Sequence, residues 1–365
     1  MRVKSIDISN LRNLSSVQIE PDPCLNCFTG DNGAGKTSIL EALAVLSKGR
    51  SFRAGQITSL IGPEQPYFQV VSKIESQSGK QHRVGMERRK DGWSARHNGE
   101  DVSQLSDLTG LLPYVLLEPG SHTLISGPPE GRRKYLDWGV FHVKHSFLIL
   151  WRRYSRTLKQ RNAALRLSDQ DVVESLDPQL IALGEKLHQV REQHADKLAG
   201  VLEKTLPVFN KTLDGIGFRY RKGWSGESLE EALGHALQRD LEKGATGPGP
   251  HRADLVLTLD GAPAKERLSR GEQKAMTAAM IMAQAQMICE SGDRPVLLLD
   301  DLSSELDEAH LTRVLHAGMD LGVQIWLTGT EIAPAIMAGG VADGISCAVF
   351  HVEHGVVTRE TAKGT

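Results

Sequence analysis

One stretch, Gly30-Asp31-Asn32-Gly33-Ala34-Gly35-Lys36-Thr37, constrains this chain more than any other. It fits G-x-x-x-x-G-K-[ST] at every fixed position and so reads as a phosphate-binding P-loop. Its flanks agree. Leu25 to Phe28, broken only by Asn26, has the character of a strand. Ser38-Ile39-Leu40-Glu41-Ala42-Leu43 continues with helical periodicity. A strand, a glycine turn and a helix in that order let backbone N–H groups and a positive helix end face an anion. Lys36 is placed to reach the β- and γ-phosphates of a nucleotide, and Thr37 to hold Mg²⁺.

The rest of the chain offers ample material for a large core. It has 365 residues, 40% hydrophobic and 24% charged, an ordinary globular composition. This length implies two domains, or one large α/β domain with an insertion. The formal net charge is −2, so a nucleic-acid surface has to be a local patch. No apolar run approaches the roughly 18 residues of a membrane span. Met1-Arg2-Val3-Lys4-Ser5-Ile6-Asp7 lacks the apolar region of a signal peptide, and a cytoplasmic location is expected. The four cysteines do not form a disulfide framework. Cys24-Leu25-Asn26-Cys27 has C-x-x-C spacing, but a zinc site needs further ligands. Its cysteines read as buried strand residues.

Alternating patterns predict strands over residues 3–8, 16–20, 66–75, 80–87 and 216–220, with a hairpin at His97-Asn98-Gly99-Glu100. Leu11-Arg12-Asn13-Leu14 reads as a polar turn. From about Pro128 the period is helical. Pro128-Pro129-Glu130 opens one helix, and Lys144 to Leu167 forms a second. Asp177-Pro178 reads as the cap and first turn of a third, running to about Leu206. Ala253 to Leu259 is expected to return to the main sheet. The predicted architecture is α/β: a P-loop NTPase head formed by residues 1–125 plus 208–365, with a helical lobe inserted over 126–207.

Arg294-Pro295-Val296-Leu297-Leu298-Leu299-Asp300-Asp301 is an apolar strand ending in two carboxylates. Asp300 is placed to bind Mg²⁺ and Asp301 to orient or activate the attacking water. Together with Lys36 they form the candidate catalytic set. Just upstream, Leu268-Ser269-Arg270-Gly271-Glu272-Gln273-Lys274 opens a helix, with Ser269 as its cap and Gly271 leaving room for close approach. One P-loop already holds a triphosphate. A second anion site therefore suggests contact with a nucleotide bound to another subunit.

The P-loop, the L-S-x-G-type signature, the hydrophobic strand ending in two Asp, and Ser303-Ser304-Glu305-Leu306-Asp307 as a D-loop together resemble the ABC/SMC ATPase head. The short insertion leaves no room for a long coiled coil, and within that class the chain resembles the RecF family. The likeness extends from end to end: Leu11-Arg12-Asn13, Gly49-Arg50-Ser51-Phe52-Arg53, Arg132-Arg133-Lys134-Tyr135-Leu136-Asp137-Trp138, Leu158-Lys159-Gln160-Arg161-Asn162 and Gly249-Pro250-His251-Arg252-Ala253-Asp254. The resemblance implies a weak ATPase used as a switch in recombinational repair and replication restart. ATP and Mg²⁺ are its cofactors, bound by Arg12, Asn13, Gly30, Asp31, Asn32, Gly33, Ala34, Gly35, Lys36, Thr37 and Ser38, with Ser269 and Gly271 closing from a second subunit. It further implies an ATP-dependent homodimer that clamps DNA at gaps and junctions, RecR and RecO as partners, support for recombinase loading, and a part in the SOS response.

Three positions depart from the ABC pattern. Asp301 stands where ABC heads carry Glu, which suggests slow hydrolysis. Thr328-Gly329-Thr330 has no switch histidine, leaving Thr328 or Thr330 as γ-phosphate sensor or the role absent. Glu118-Pro119-Gly120 occupies the Q-loop position, with Glu118 a candidate for the water or Mg²⁺ contact.

Arg152, Arg156 and Lys159 share one helix face at i, i+4 and i+7. Arg153, Arg161 and Arg166 add charge nearby, and Arg132, Arg133 and Lys134 lie upstream. Such patches gain affinity for duplex phosphates by counterion release. Aromatic residues make up only 5% of the chain, which favours backbone contacts with duplex or junction DNA over a stacking platform. Three other readings remain. A DNA-binding scaffold with a residual nucleotide site is opposed by the intact Lys36, Thr37, Asp300 and Asp301. An SMC-like head serving a nuclease would need a long coiled coil or a nuclease motif. A small-molecule P-loop kinase would not need Ser269-Arg270-Gly271-Glu272.

Overall fold

The computed structural model describes the chain apart from residues 54, 145, 211, 212, 214, 303–305, 331–345 and 361–365. The proposed D-loop residues Ser303, Ser304 and Glu305 lie outside the described residues. In chain order, β1 (Arg2–Leu11), β2 (Leu14–Ile19) and β3 (Leu25–Thr29) lead into α1 (Lys36–Lys48). There follow β4 (Tyr67–Glu75), β5 (Gln81–Arg89), β6 (Trp93–His97), β7 (Glu100–Asp101), α2 (Ser106–Thr109) and β8 (Tyr114–Leu117). The middle of the chain holds α3 (Thr123–Ser126), α4 (Pro129–Val143), α5 (Phe147–Arg166), α6 (Gln170–Phe209), β9 (Ile216–Arg221), α7 (Leu229–Lys243), β10 (Asp254–Leu259), β11 (Ala262–Pro263) and α8 (Ala264–Arg267). Then α9 (Arg270–Glu290), β12 (Val296–Leu299), α10 (Glu308–Asp320), β13 (Ile325–Thr328), β14 (Cys347–Glu353) and β15 (Val356–Arg359) complete it.

The chain divides into two units. The first is Met1–Ser121 with Lys274–Thr365, and the second is His122–Gln273. In the first, a six-stranded sheet has the order β15-β14-β3-β13-β12-β8. Its pairings from β14 through to β8 are parallel, the strands are apolar, and β12 and β13 are buried along their whole length. Continuous burial is what a parallel sheet covered on both faces demands. Phe28 stacks on Trp326 and Phe350 at centroid distances of 5.3 and 5.0 Å, filling the layer beneath the P-loop. Each such ring contributes about 1.5–3 kcal/mol of burial.

A second six-stranded sheet, β2-β1-β4-β5-β6-β7, is antiparallel. Gln324, fully buried, ties the two sheets. Its amide accepts from Val3 N–H at 2.8 Å and donates to the carbonyls of Val3 and Asp22 at 3.0 and 2.8 Å.

The second unit is not purely helical. The helices α5 and α6 pack as an antiparallel hairpin, while β9, β10 and β11 form their own three-stranded antiparallel sheet. The segment from Ala253 therefore does not rejoin the main sheet, as its sequence suggests it should. The unit extends through residue 273 and not only over the predicted 126–207. Arg132 on α4 explains part of this: it makes a bidentate pair with Asp254 on β10 at 2.8 and 3.1 Å, anchoring the small sheet to the helices.

Asp177-Pro178 does not open a helix. α6 starts at Gln170, capped by the Asp169 carboxylate, which accepts from Val172 N–H at 3.2 Å. Pro178 lies inside it. A proline there removes one i→i−4 bond, but the residue before it is held elsewhere: the Asp177 carboxylate pairs with buried Arg161 at 2.6 Å. Among the described residues no helix is long and apolar enough to cross a membrane.

Candidate nucleotide site

Parallel pairing puts the C-terminal ends of β3, β13, β12 and β8 along one edge of the sheet, the edge where ligands bind in open α/β folds. β3 delivers the P-loop, β12 delivers Asp300 and Asp301, β13 delivers Thr328, and β8 delivers Glu118. Lys36, Thr37, Asp300 and Asp301, the candidates on sequence grounds, thus lie at one edge together with Thr328 and Glu118.

The P-loop turns on glycine. Gly30 has φ +139°, and a side chain there would sit 2.0 Å from the carbonyl oxygen of Val352. Gly35 caps α1 at φ +121° with no side-chain cap, and the first turn of α1 carries no acid. The helix dipole is thus left uncompensated at the loop, as an anion site requires. Lys36, 7% exposed, donates from Nζ to the carbonyls of Gly30 at 2.5 Å and Asp31 at 2.9 Å. Burial lowers its pKa from the ordinary lysine value, against the opposing pull of Asp301, Asp31 and Asp300. Asp31, Asn32 and Gly33 are exposed at the crest of the loop, and Ala34 is buried.

Thr37 Oγ1 donates to Asp300 Oδ1 at 2.7 Å, joining the first turn of α1 to the end of β12. A hydroxyl and a carboxylate oxygen held together form the hard donor set that suits Mg²⁺. Thr328 Oγ1 donates to the same Asp300 Oδ1 at 2.8 Å and accepts from Asp301 N–H at 3.0 Å. Asp301 is in the left-handed region at φ +46°. Thr330 is exposed. Glu118 follows β8 next to Asp300, whose N–H bonds to the Leu117 carbonyl at 2.9 Å. Burial, then repulsion from Asp300, pushes the Glu118 carboxyl up to about 7, with Arg53 opposing.

Arg12 and Asn13 form the β1–β2 turn, where Arg12 has φ +55°. Asn13 Nδ2 donates to the carbonyls of Gly33 and Ala34 at 3.1 and 3.0 Å, and Ser38 Oγ lies 3.4 Å from Asn13 Oδ1. Arg12 pairs in bidentate fashion with fully buried Glu41 on α1, at 2.5 and 2.9 Å, and Ser51 Oγ donates to that same carboxylate at 2.5 Å. The β14–β15 turn, which sequence reasoning missed, also meets the loop: Gly355 N–H donates to the Ala34 carbonyl at 2.9 Å. The only sequence signal for it was a glycine after Glu353-His354 between alternating runs.

In the second unit, Ser269 and Glu272 form a reciprocal capping box. Ser269 N and Oγ donate to Glu272 Oε2 at 2.9 and 2.7 Å, and Glu272 N–H returns to Ser269 Oγ at 3.3 Å. A side chain at Gly271 would meet nothing within 4 Å. The basic residues separate into two groups. Arg152, Arg153, Arg156, Lys159 and Arg166 are exposed on α5. Arg161, grouped with them by sequence, is fully buried between Asp177 and Asp240. Arg132 is committed to Asp254, and Arg133 donates to the Ala253 carbonyl at 2.9 Å.

This sheet, with its P-loop, its paired aspartates and a capped signature helix, defines an ABC/SMC-type ATPase head. The family described as RecF/RecN/SMC N terminal domain matches residues 2–324. A RecF DNA replication and repair protein of Xanthomonas euvesicatoria pv. vesicatoria is 41% identical, with 99% of this chain and 100% of that protein covered. One from Pseudomonas paraeruginosa is 35% identical with both chains fully covered. The solved recombination mediator protein RecF with ATPrS, of the RecFOR pathway, superimposes with TM-score 0.88 at 26% identity, covering 98% of each chain. An Smc head bound to the C-winged helix domain of ScpA shares the fold, with TM-score 0.60 at 15% identity over 100% of this chain and 98% of that one. The chain belongs to the RecF family of DNA replication and repair proteins.

Proposed function

We propose that this chain is an ATP-controlled DNA-binding protein whose slow hydrolysis times its release from DNA. The observation that carries this reading is the Thr37–Asp300 hydrogen bond at 2.7 Å, beside Lys36 and a helix end free of acids. The P-loop backbone and Lys36 bind the triphosphate, and Thr37 with Asp300 would hold Mg²⁺. When bound, Mg²⁺ neutralises charge on the β- and γ-phosphate oxygens. Asp301, one methylene shorter than the glutamate of faster ABC heads, orients the attacking water at longer reach and gives a weak ATPase. Arg12, Asn13 and Ser38 flank the phosphates.

Ser269 and Gly271 cover the γ-phosphate held by a second copy, so ATP binding draws two chains together by mass action. Arg152, Arg156 and Lys159 contact DNA phosphates, with Arg132 and Arg133 supporting that lobe from inside. Solved RecF is described within the RecFOR pathway, which supports RecR- and RecO-type mediators as partners here too. Loading of a recombinase at gapped or junction DNA, and through it the SOS response, follow from the same reading.

Molecular mass measured with ADP, with ATP, and with ATP plus duplex DNA tests it. A dimer formed only with ATP and retained on DNA is expected, and Ser269→Arg is expected to abolish it. A monomer in all three conditions removes the dimer. Lys36→Arg is expected to keep nucleotide binding and lose turnover; full turnover would overturn the role of Lys36.

A further inference from the structure

We infer that Thr328 is a positioning residue for hydrolysis, setting the geometry of both aspartates through one hydroxyl. The inference rests on the ATPase reading above. Register supplies the first step. β12 and β13 pair in parallel with Leu299 beside Leu327, so the next residues, Asp300 and Thr328, come side by side. Thr328 is 1% exposed, so its hydroxyl finds its partners within the protein.

A hydroxyl has one hydrogen to donate and lone pairs to accept. This one donates to Asp300 Oδ1 at 2.8 Å and accepts from Asp301 N–H at 3.0 Å. The donated bond fixes the rotamer of the carboxylate that also receives Thr37. The accepted bond holds the peptide before Asp301, whose φ of +46° is a conformation side chains rarely adopt. Without the hydroxyl, the Asp300 carboxylate loses one of its two hydrogen bonds among the described residues, keeping that from Thr37, and the Asp301 backbone loses the bond that holds its left-handed conformation. Among the described residues, none of these hydrogen bonds is made to the backbone of Gly30 to Gly35. Thr328 therefore acts on the aspartates and not on the phosphate cradle, and its loss separates turnover from binding.

The test uses the full chain with Thr328→Val, which preserves shape but removes both hydrogen bonds, and Thr328→Ser, which restores the hydroxyl. Turnover at saturating ATP is measured together with ATP affinity in EDTA and the gain in affinity on adding Mg²⁺. For Thr328→Val we expect turnover to fall tenfold or more, roughly as small misplacements of catalytic groups do. Affinity in EDTA stays at the wild-type level, and the Mg²⁺-dependent gain shrinks. Thr328→Ser returns all three toward wild type. Wild-type turnover and wild-type Mg²⁺ gain in Thr328→Val overturn the inference. If Thr328→Val does not melt cooperatively, Thr328→Ala against Thr328→Ser decides: a serine well above the alanine supports it, and equal values overturn it. Asp300→Asn runs alongside. If the wild-type chain turns over no ATP, the ATPase reading itself fails; if Asp300→Asn turns over ATP at the wild-type rate, the role given to Asp300 fails.

Discussion

Gly355 donates its backbone N–H to the carbonyl of Ala34 at 2.9 Å, so the C-terminal β14–β15 turn grips the P-loop from outside. The Asn13 side chain grips it from the β1–β2 turn, through the carbonyls of Gly33 and Ala34. The two turns also meet each other: a Cβ at Gly355, which has φ +80°, would lie 2.1 Å from the Asn13 carbonyl oxygen. The loop that binds phosphate is thus held between two hairpin tips far apart in sequence.

Gly355→Ala should therefore weaken ATP binding without altering any residue of the loop. The left-handed backbone alone costs about 1–2 kcal/mol for an alanine, and the clash forces the turn away from Asn13. We expect ATP affinity to fall about tenfold, near 1.4 kcal/mol, with a lower melting temperature. Titration with a fluorescent ATP analogue measures it. Wild-type affinity would mean the P-loop keeps its shape without the clamp.

The exposed face of α5 makes a separate prediction. Arg156 and Lys159 are exposed, whereas Arg161 is fully buried. Arg156→Glu with Lys159→Glu should lower DNA affinity in the presence of ATP. The salt dependence should flatten by about 0.9 in log–log slope for each DNA phosphate no longer neutralised. Thermal stability should hold, because neither side chain is part of the core. An unchanged slope would place the DNA surface elsewhere.

The same pair of cases shows where the sequence was legible. Site motifs are local: the P-loop, the aspartate strand and the capping box each occupy a few consecutive residues, and each lies where its spacing predicts. Helix faces are legible only to the extent that period fixes direction. Arg161 lies two residues past Lys159, roughly 180° around the helix from the stripe of Arg152, Arg156 and Lys159, so the period separates it from that face, and the carboxylates of Asp177 and Asp240, from other parts of the chain, are what hold its charge inside. Pro178 misled for a similar reason. An Asp-Pro pair is a strong helix start by local chemistry, but here the aspartate is taken by Arg161 and the helix begins earlier, at Gln170 with Asp169 as its cap. The β14–β15 clamp was invisible because its function is backbone contact, which leaves no side-chain pattern beyond one glycine.

Buried Arg161 also makes a stability prediction. Its guanidinium bonds to Asp177 at 2.6 Å, Asp240 at 3.2 Å and Thr246 Oγ1 at 3.0 Å. Arg161→Leu leaves Asp240, 1% exposed, as an uncompensated buried charge, a loss of about 3–5 kcal/mol. Adding Asp240→Asn should recover part of it, since the amide oxygen still accepts from Gly247 N–H, which bonds to the carboxylate at 3.0 Å. Denaturant titration of the single and double variants measures the coupling. Equal stabilities of Arg161→Leu and wild type would show that the cluster carries no net stabilisation.

The second unit should also lose stability in mild acid through two histidines. Burial lowers His251 to about 4, with the cations Arg252, Arg133 and Arg191 adding to the effect and a bond to Thr246 opposing it. Its neutral form is fixed by its partners: Nε2–H donates to the Thr246 carbonyl at 3.0 Å, and Nδ1 accepts from the Tyr154 hydroxyl at 2.8 Å. His194 is likewise lowered to about 4, by burial and then by Lys197. For both, the folded pKa lies below the unfolded value near 6.5. Between the two the unfolded chain binds more protons, so stability is fully present above about pH 6.5 and is lost as pH falls toward 4. The loss is on the order of 2–3 kcal/mol per histidine. His194→Leu should flatten part of the slope at little structural cost, because its buried Nε2 has no hydrogen-bond partner among the described residues. Urea melts from pH 7.5 to 4.5, compared between wild type and His194→Leu, give the slope directly; identical slopes would show that His194 does not titrate with unfolding.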